Sequence, residues 1–217
     1  MQQLDKAFVD GMPGTGPTDP IRYYRRPVIG WLFRERINKG LRLLGERHFG
    51  AVLEVGYAAG ALQLVLAKLA DELHGIDLDA DPRPVTEMLA ARGVTSDLRR
   101  GDVLALPYAD ETFDLVTCFS VIEHLKGYER ALGEMRRVLA PGGWLLLGMP
   151  SVNLTMELGF RAIGFKGIED HHVTTPAEVS GAFDRAGFRL LRADYLDLPA
   201  PKPFGVRLYH DWLLERA

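Results

Sequence analysis

The chain has 217 residues, 47% of them hydrophobic and 25% charged, with a formal net charge of −3. That is the length of one ordinary domain with a sizeable core, so a wholly disordered chain and a pair of full domains with a linker are both excluded. No run approaches the roughly 18 apolar residues of a membrane span. The N-terminal MQQLDKAFVDGMPGTGP has no apolar h-region, so no secretory signal is expected. One cysteine, Cys118, leaves no intrachain disulfide framework and no cysteine-based zinc site. The expectation is a cytoplasmic protein.

Residues 1–20 are rich in Gly, Pro and Asp and read as a loose arm, suited to ordering over a ligand. Pro27 to Glu46 is predicted as a helix, with Phe33, Ile37, Leu41 and Leu44 at helical spacing and Pro27 in the first turn. Its surroundings are basic. From Ile21 to Gly50 there are eight Arg or Lys against two Glu, a local balance of +6, so the rest of the chain sums to −9.

From Ala51 the pattern changes. AVLEVG is a short apolar run ending in glycine, the signature of a buried parallel strand. Gly60 to Leu73 is predicted helical, LHGID a second strand, Asp81 to Arg92 a helix and LRRGDV a third strand. FDLVTCFS reads as the fourth strand, Tyr128 to Leu139 as a helix stopped by Pro141-Gly142-Gly143, and GWLLLGMP as the fifth strand. Alternating strands and helices imply right-handed βαβ units and a parallel sheet covered on both faces, an α/β fold. Ser151 to His172 fits no such unit and reads as an insertion. Pro176 to Ala186 is predicted helical and GFRLLRADYL is a sixth strand, while the tail from Phe204 to Ala217 reads as a helix rather than a strand.

The strongest chemical signal is VLEVGYAAG, residues 52–60, a strand running into a glycine turn and a helix. Such a turn places backbone N–H groups and a helix N-terminus beside a ligand at the carboxyl end of the sheet. Asp77 lies twenty-one residues after Gly56, at the end of the second strand, where a carboxylate can accept from both hydroxyls of a ribose. The spacing is not G-x-G-x-x-G, no Tyr is followed four residues later by Lys, and G-x-x-x-x-G-K is absent. A dinucleotide enzyme of the short-chain type and a P-loop are therefore disfavoured.

With those residues in hand, positions 50–192 resemble the class I S-adenosylmethionine-dependent methyltransferases. Glu54-x-Gly56-x-Ala58-x-Gly60 is similar to the family's first motif and GIDLD to its second. GDVLALPYADETFDLVTCFSVIEHL and LGEMRRVLAPGGWLLLGMPS resemble the stretches around strands three to five. VIEHL and RVLAPGG are most similar to the methyltransferase type 11-like branch, which modifies small molecules. The resemblance implies a Rossmann-like fold with residues 1–46 as a cap, 47–150 as the cofactor-binding core, 151–172 over the active site and 173–217 completing the sheet. It also implies that Glu54, Gly56, Tyr57, Ala58 and Gly60 face the methionine part of S-adenosyl-L-methionine. Asp77 would hold the ribose, Leu78 would pack near the adenine, and Asp102 and Val103 would meet the adenine edge. Cys118, Phe119 and Ser120 would pass under the sulfonium. Two departures stand out: the family usually has Gly where this chain has Ala58, and YHDWLLERA reads poorly as the family's antiparallel seventh strand.

Methyl transfer from a sulfonium is an in-line displacement, so much of the rate can come from positioning. A base is needed only where the nucleophile carries a proton that must leave. His124, after the fourth strand, is a candidate base. His171, His172 and Tyr24 are candidate walls of the acceptor site. His171 and His172 lie near Glu169 and Asp170, but adjacent residues point apart and no third ligand is evident, so no metal is expected. The basic stretch 21–50 is suited to an anionic surface, whereas the acidic remainder argues against nucleic acid. The leading expectation is an enzyme acting on a small organic acceptor. A non-catalytic cofactor-binding protein and an RNA or protein methyltransferase remain as alternatives.

Overall fold

The computed structural model describes residues 3–10, 12, 14, 21–151, 172–198 and 206–217. Among these residues seven strands form one sheet in the order β3-β2-β1-β4-β5-β7-β6. In chain order they are β1 Phe49–Val55, β2 Ala70–Asp77, β3 Asp97–Arg100, β4 Phe113–Phe119, β5 Leu139–Pro150, β6 Phe188–Leu198 and β7 Val206–Arg216. β1 to β5 run parallel, and β7 pairs antiparallel with both β5 and β6. The order reverses direction between β1 and β4, and ligands of open α/β sheets bind outside the carboxyl ends at such a point.

Among the described residues the helices are α1 Lys6–Val9, α2 Ile21–Tyr24, α3 Pro27–Leu44, α4 Gln63–Leu66, α5 Pro82–Ala90, α6 Tyr128–Val138 and α7 Pro176–Ser180. They cover two apolar layers. One layer packs Ile37, Leu41 and Leu44 of α3 with Val52, Leu115, Leu146 and Leu213 of the sheet. The other packs Leu132, Met135 and Val138 of α6 with Leu53, Val116, Leu145 and Leu214. Neighbouring strand residues thus face opposite layers, as the period-2 pleat requires. Helix ends follow local chemistry: Asp81 accepts from Arg83 N at the start of α5, and Thr175 with Glu178 forms a reciprocal capping box on α7.

Four expectations are corrected. The tail is not a helix: Val206–Arg216 is strand β7, inserted between β5 and β6. Because both of its faces are covered, Trp212, Leu213 and Leu214 are all buried, and a continuous apolar run carries no period-2 signal. Each such leucine contributes roughly 1.5–3 kcal/mol by leaving water, more than any helical preference of WLLER. Secondly, the predicted helix Gly60 to Leu73 shrinks to α4 and its flanking turns. β2 begins at Ala70, where parallel pairing with Phe49 takes Ala70 to Glu72 into the sheet. Thirdly, LRRGDV stops being a strand at Arg100, because Asp102 turns the chain into a 3-10 turn, Val103–Ala105. Helix α7 is likewise shorter than predicted, with turns from Gly181 to Gly187. The helix over Pro27–Leu44 and the other strands match the reading to within a few residues.

The N-terminal segment docks on the same layer as α3. Leu4, Val9 and Met12 are buried, Asn38 exchanges two hydrogen bonds with the Leu4 backbone, and Arg92 donates to the carbonyls of Phe8 and Asp10. The insertion proper, residues 152–171, lies outside the described residues, and His171 with it.

Candidate functional site

The glycine turn is built at the end of β1. Gly56, Ala58 and Gly60 all take positive φ, at 80°, 44° and 79°. A Cβ at Gly56 would sit 2.4 Å from Val121 Cγ2, and one at Gly60 would sit 2.6 Å from Val85 Cγ1, so both positions need glycine for space as well as for φ. Ala58 alone in the turn carries a methyl group in the left-handed region, at a cost of about 1–2 kcal/mol.

Asp77 holds this turn. Its Oδ2 accepts from Ala58 N at 2.9 Å, while its Oδ1 accepts from Asp79 N and Ala80 N, each at 2.9 Å. The carboxylate therefore ties the ends of β1 and β2 together. Three of its four acceptor directions are in use, so one remains for a ligand hydroxyl rather than a pair. Leu78 beside it is 58% exposed, an apolar side chain presented to solvent at the carboxyl edge. Tyr57 is buried with its hydroxyl donating to Ala80 O at 3.3 Å, so its ring braces the turn from behind.

Glu54 is buried and accepts from Gln63 Nε2 at 2.7 Å. Burial pushes its carboxyl up to about 8, with Gln63 opposing and Asp77 reinforcing the shift. Asp102 is exposed and its Oδ1 accepts from Leu104 N, the turn-forming role of a cap, with Val103 buried behind it. Phe119 is a packing residue, wedged where Cβ atoms at Gly40 and Gly148 would come within 2.8 Å and 2.4 Å of its ring. Cys118 is buried, and burial raises its thiol.

Beyond β4 the fold gathers polar residues that carry no motif in the sequence. Ser120, at φ 55°, shares a 2.8 Å hydrogen bond with the Tyr209 hydroxyl. Arg36 of α3 lies over the rings of Phe33, Tyr24 and Tyr209 at 4.5, 6.0 and 5.2 Å, and its Nη2 donates to the Tyr24 hydroxyl at 3.3 Å. Its Nε is sealed from solvent without a hydrogen-bond partner among the described residues. Burial works against its charge, yet Tyr24, Tyr209 and Glu123 hold its pKa above the ordinary value.

Glu123 is 1% exposed, and its Oε2 also lacks a partner among the described residues. Burial pushes its carboxyl up to about 8, against its own backbone N–H and the charge of Arg36. His124 follows, with Nε2 3.9 Å from Glu123 Oε1 and its ring 5.2 Å from that of His172. Candidates His124 and His172 are thus brought together. Tyr24 joins the neighbouring Arg36 cluster.

The cations of the basic stretch are largely engaged inside the molecule. Arg25 donates to the Val9 and Met12 carbonyls and Arg34 to that of Tyr24. Lys39 pairs with Asp194 and Arg42 with Glu35.

This architecture is a Rossmann-like α/β fold with the glycine turn at its switch point. Residues 53–147, from within β1 into β5, match the family model described as a methyltransferase domain. The demethylmenaquinone methyltransferase of Thermus thermophilus is 37% identical over 99 residues, covering 44% of this chain and 45% of that protein. The ajmaline N-methyltransferase of Rauvolfia serpentina is 36% identical over 165 residues, 74% of this chain and 54% of that one. The chain thus spans about half the length of these relatives. Among solved structures, the N-methyltransferase NodS of Bradyrhizobium japonicum, in complex with S-adenosyl-L-homocysteine, superposes with a TM-score of 0.64. It does so at 22% identity over 98% of this chain and 96% of that one. No helix among the described residues is long and apolar enough to cross a membrane.

Proposed function

We propose that this protein transfers a methyl group from S-adenosyl-L-methionine to a small organic acceptor. The observation that carries this reading is the Asp77 clamp. A carboxylate is fixed 2.9 Å from a backbone amide of a positive-φ glycine turn, at the switch point of the sheet. The remaining acceptor direction of Asp77 would take one ribose hydroxyl, the exposed face of Leu78 would support the adenine, and Asp102 and Val103 would border its edge. Glu54 and the backbone of Gly56, Ala58 and Gly60 would face the methionine end, whose ammonium group would draw the Glu54 carboxyl back to its ionised form. Arg36, a guanidinium whose Nε lacks a partner among the described residues, would offer its donor on the acceptor side, beside Tyr24 and Tyr209.

When bound, the cofactor supplies a methyl group already activated on a sulfonium. The work left to the chain is placement and proton management. Val121, packed against Gly56, fixes the loop after β4 beside the turn, so Ser120, Glu123 and His124 would stand on the acceptor side. His124, or His172 across from it, would take the proton of an acceptor hydroxyl or amine. Tyr24 and Tyr209 would wall the acceptor. Internal engagement of the basic stretch supports a small acceptor over a nucleic-acid or membrane surface. A lone, buried Cys118 is consistent with a cytoplasmic setting. Calorimetry with S-adenosyl-L-homocysteine, followed by turnover of S-adenosyl-L-methionine with a metabolite extract, tests the proposal. Micromolar binding and acceptor-dependent product are expected; no binding at millimolar ligand would end it, and binding without turnover would leave only a cofactor-binding protein.

A further inference from the structure

Beyond β4 the fold brings together three side chains of metal-ligating type. Glu123, His124 and His172 each present a ligand atom, and these atoms all lie within 4.8 Å of one another. Sequence spacing offers His171 and His172 as neighbours with no third ligand. The fold supplies the missing ligands from a distant segment, the loop that follows β4.

Backbone contacts join the two segments. The Glu123 carbonyl accepts from Val173 N at 2.8 Å and from Thr174 N at 3.3 Å, and Thr174 Oγ1 donates to the Leu125 carbonyl at 2.7 Å. These hydrogen bonds staple residues 173–174 to residues 123–125. The staple holds the His172 ring 5.2 Å from the His124 ring. Beside the two imidazoles lies the Glu123 carboxylate, 1% exposed, with an oxygen that has no partner among the described residues.

We propose that Glu123, His124 and His172 form a divalent-metal site at the acceptor side of the sheet. Two imidazole nitrogens and one carboxylate suit a borderline ion such as Zn²⁺, Co²⁺, Mn²⁺ or Fe²⁺ rather than Ca²⁺. Bonds of about 2.0–2.2 Å require donor atoms roughly 3–3.5 Å apart. His124 Nε2 and Glu123 Oε1, at 3.9 Å, are close to that spacing, and side-chain rotation of the histidines supplies the remaining closure. Three protein ligands leave open positions, which an oxygen of the acceptor would enter; the ion would then lower that oxygen's pKa and its proton would pass to solvent, so the base role given to His124 or His172 above belongs to the ion-free protein. The ion site stands by itself; its use on the acceptor rests on the methyl-transfer reading.

The test uses untagged full-length protein, freed of metal by chelator and titrated with Co²⁺ and with Zn²⁺. One ion per chain is expected, with the visible bands of low-symmetry Co²⁺ appearing on addition and lost to Zn²⁺. Glu123→Gln and His172→Asn should each weaken binding at least tenfold, as loss of even supporting partners does. His48→Asn, at an exposed pair with Asp71, should change nothing. His172→Asn keeps the test sound if the buried Glu123→Gln fails to fold. A site that takes up less than a tenth of an ion per chain, or uptake indifferent to both variants, overturns the proposal. S-adenosyl-L-homocysteine calorimetry on the metal-free protein separates the two readings: cofactor binding there, without ion uptake, removes the ion site and leaves methyl transfer standing.

Discussion

Asp77→Ala tests the clamp and the cofactor site together. In the sequence, an Asp at the exposed end of a strand promises little packing, and its removal is expected to spare the fold. The structure reverses that expectation, because three backbone N–H groups point at this carboxylate. The amide of Asp79 is exposed and can turn to water, but Ala80 is buried and Ala58 half-buried. An unsatisfied buried donor costs about 1–3 kcal/mol, so Asp77→Ala should destabilise the ligand-free protein by roughly 2–4 kcal/mol. At about 2–4 °C per kcal/mol for a chain of this size, Tm should fall by roughly 5–15 °C. Binding adds a second effect. One charge-assisted hydrogen bond to a ribose hydroxyl is worth roughly 1.5–3 kcal/mol, so affinity for S-adenosyl-L-homocysteine should fall about tenfold to a hundredfold. Urea unfolding without ligand and calorimetry with it read the two effects separately. Asp79→Ala, which keeps its backbone N–H, is the control and should be near neutral in both. An unchanged urea midpoint for Asp77→Ala would refute the clamp. Parent-like affinity would refute the ribose placement.

Three further outcomes are expected. Ala58→Gly should relieve the left-handed strain at φ 44° and raise stability by about 1 kcal/mol, read as a small rise in Tm. Glu54 has a folded-state pKa of about 8 against an ordinary value of 4.5. Its contribution is therefore fully present below about pH 4.5 and is lost as pH rises towards 8, at up to ~1.4 kcal/mol per unit. Urea midpoints across that window should fall less steeply in Glu54→Gln than in the parent, and parallel slopes would show the carboxyl to be ionised throughout. Gly148→Ala would place a Cβ 2.4 Å from the Phe119 ring and 2.8 Å from that of Tyr209. It should cost about 1–3 kcal/mol in a thermal melt through overpacking.

The parallel half of the sheet was legible because its strands are short apolar runs between turn signals, and because its helices carry a 3.6-residue stripe. The antiparallel edge was not. In β7, Tyr209, Asp211 and Leu213 face α3 while Trp212 and Leu214 face the opposite layer, so burial on both sides hides the alternation. Asp211 adds to the disguise. It is fully buried with neither carboxylate oxygen hydrogen-bonded among the described residues, and burial raises its pKa well above the ordinary range. A charged residue type at the centre of a buried strand argues against the strand from composition alone.

The two halves of the candidate site differ in the same way. The cofactor side is written in contiguous chain, because a glycine turn needs its residues at fixed local offsets and a ribose carboxylate must sit at the end of the next strand. Spacing therefore located the turn of Gly56 and Gly60 and its neighbour Asp77, which the fold brings together; their cofactor role is the proposal above. The proposed acceptor side would draw Arg36 from α3, Ser120 and Glu123 from the loop after β4, His172 from the segment before α7 and Tyr209 from β7, one or two residues from each. No local offset relates them, and Arg36 is indistinguishable in sequence from the neighbouring arginines that serve as surface and backbone contacts. What does mark them is energetic. Buried Glu123 Oε2 and Arg36 Nε lack partners among the described residues, and burial without a partner costs free energy that packing elsewhere must offset. Unsatisfied polar atoms cluster where a ligand is meant to satisfy them, so the acceptor side becomes readable only when the fold has brought those atoms together.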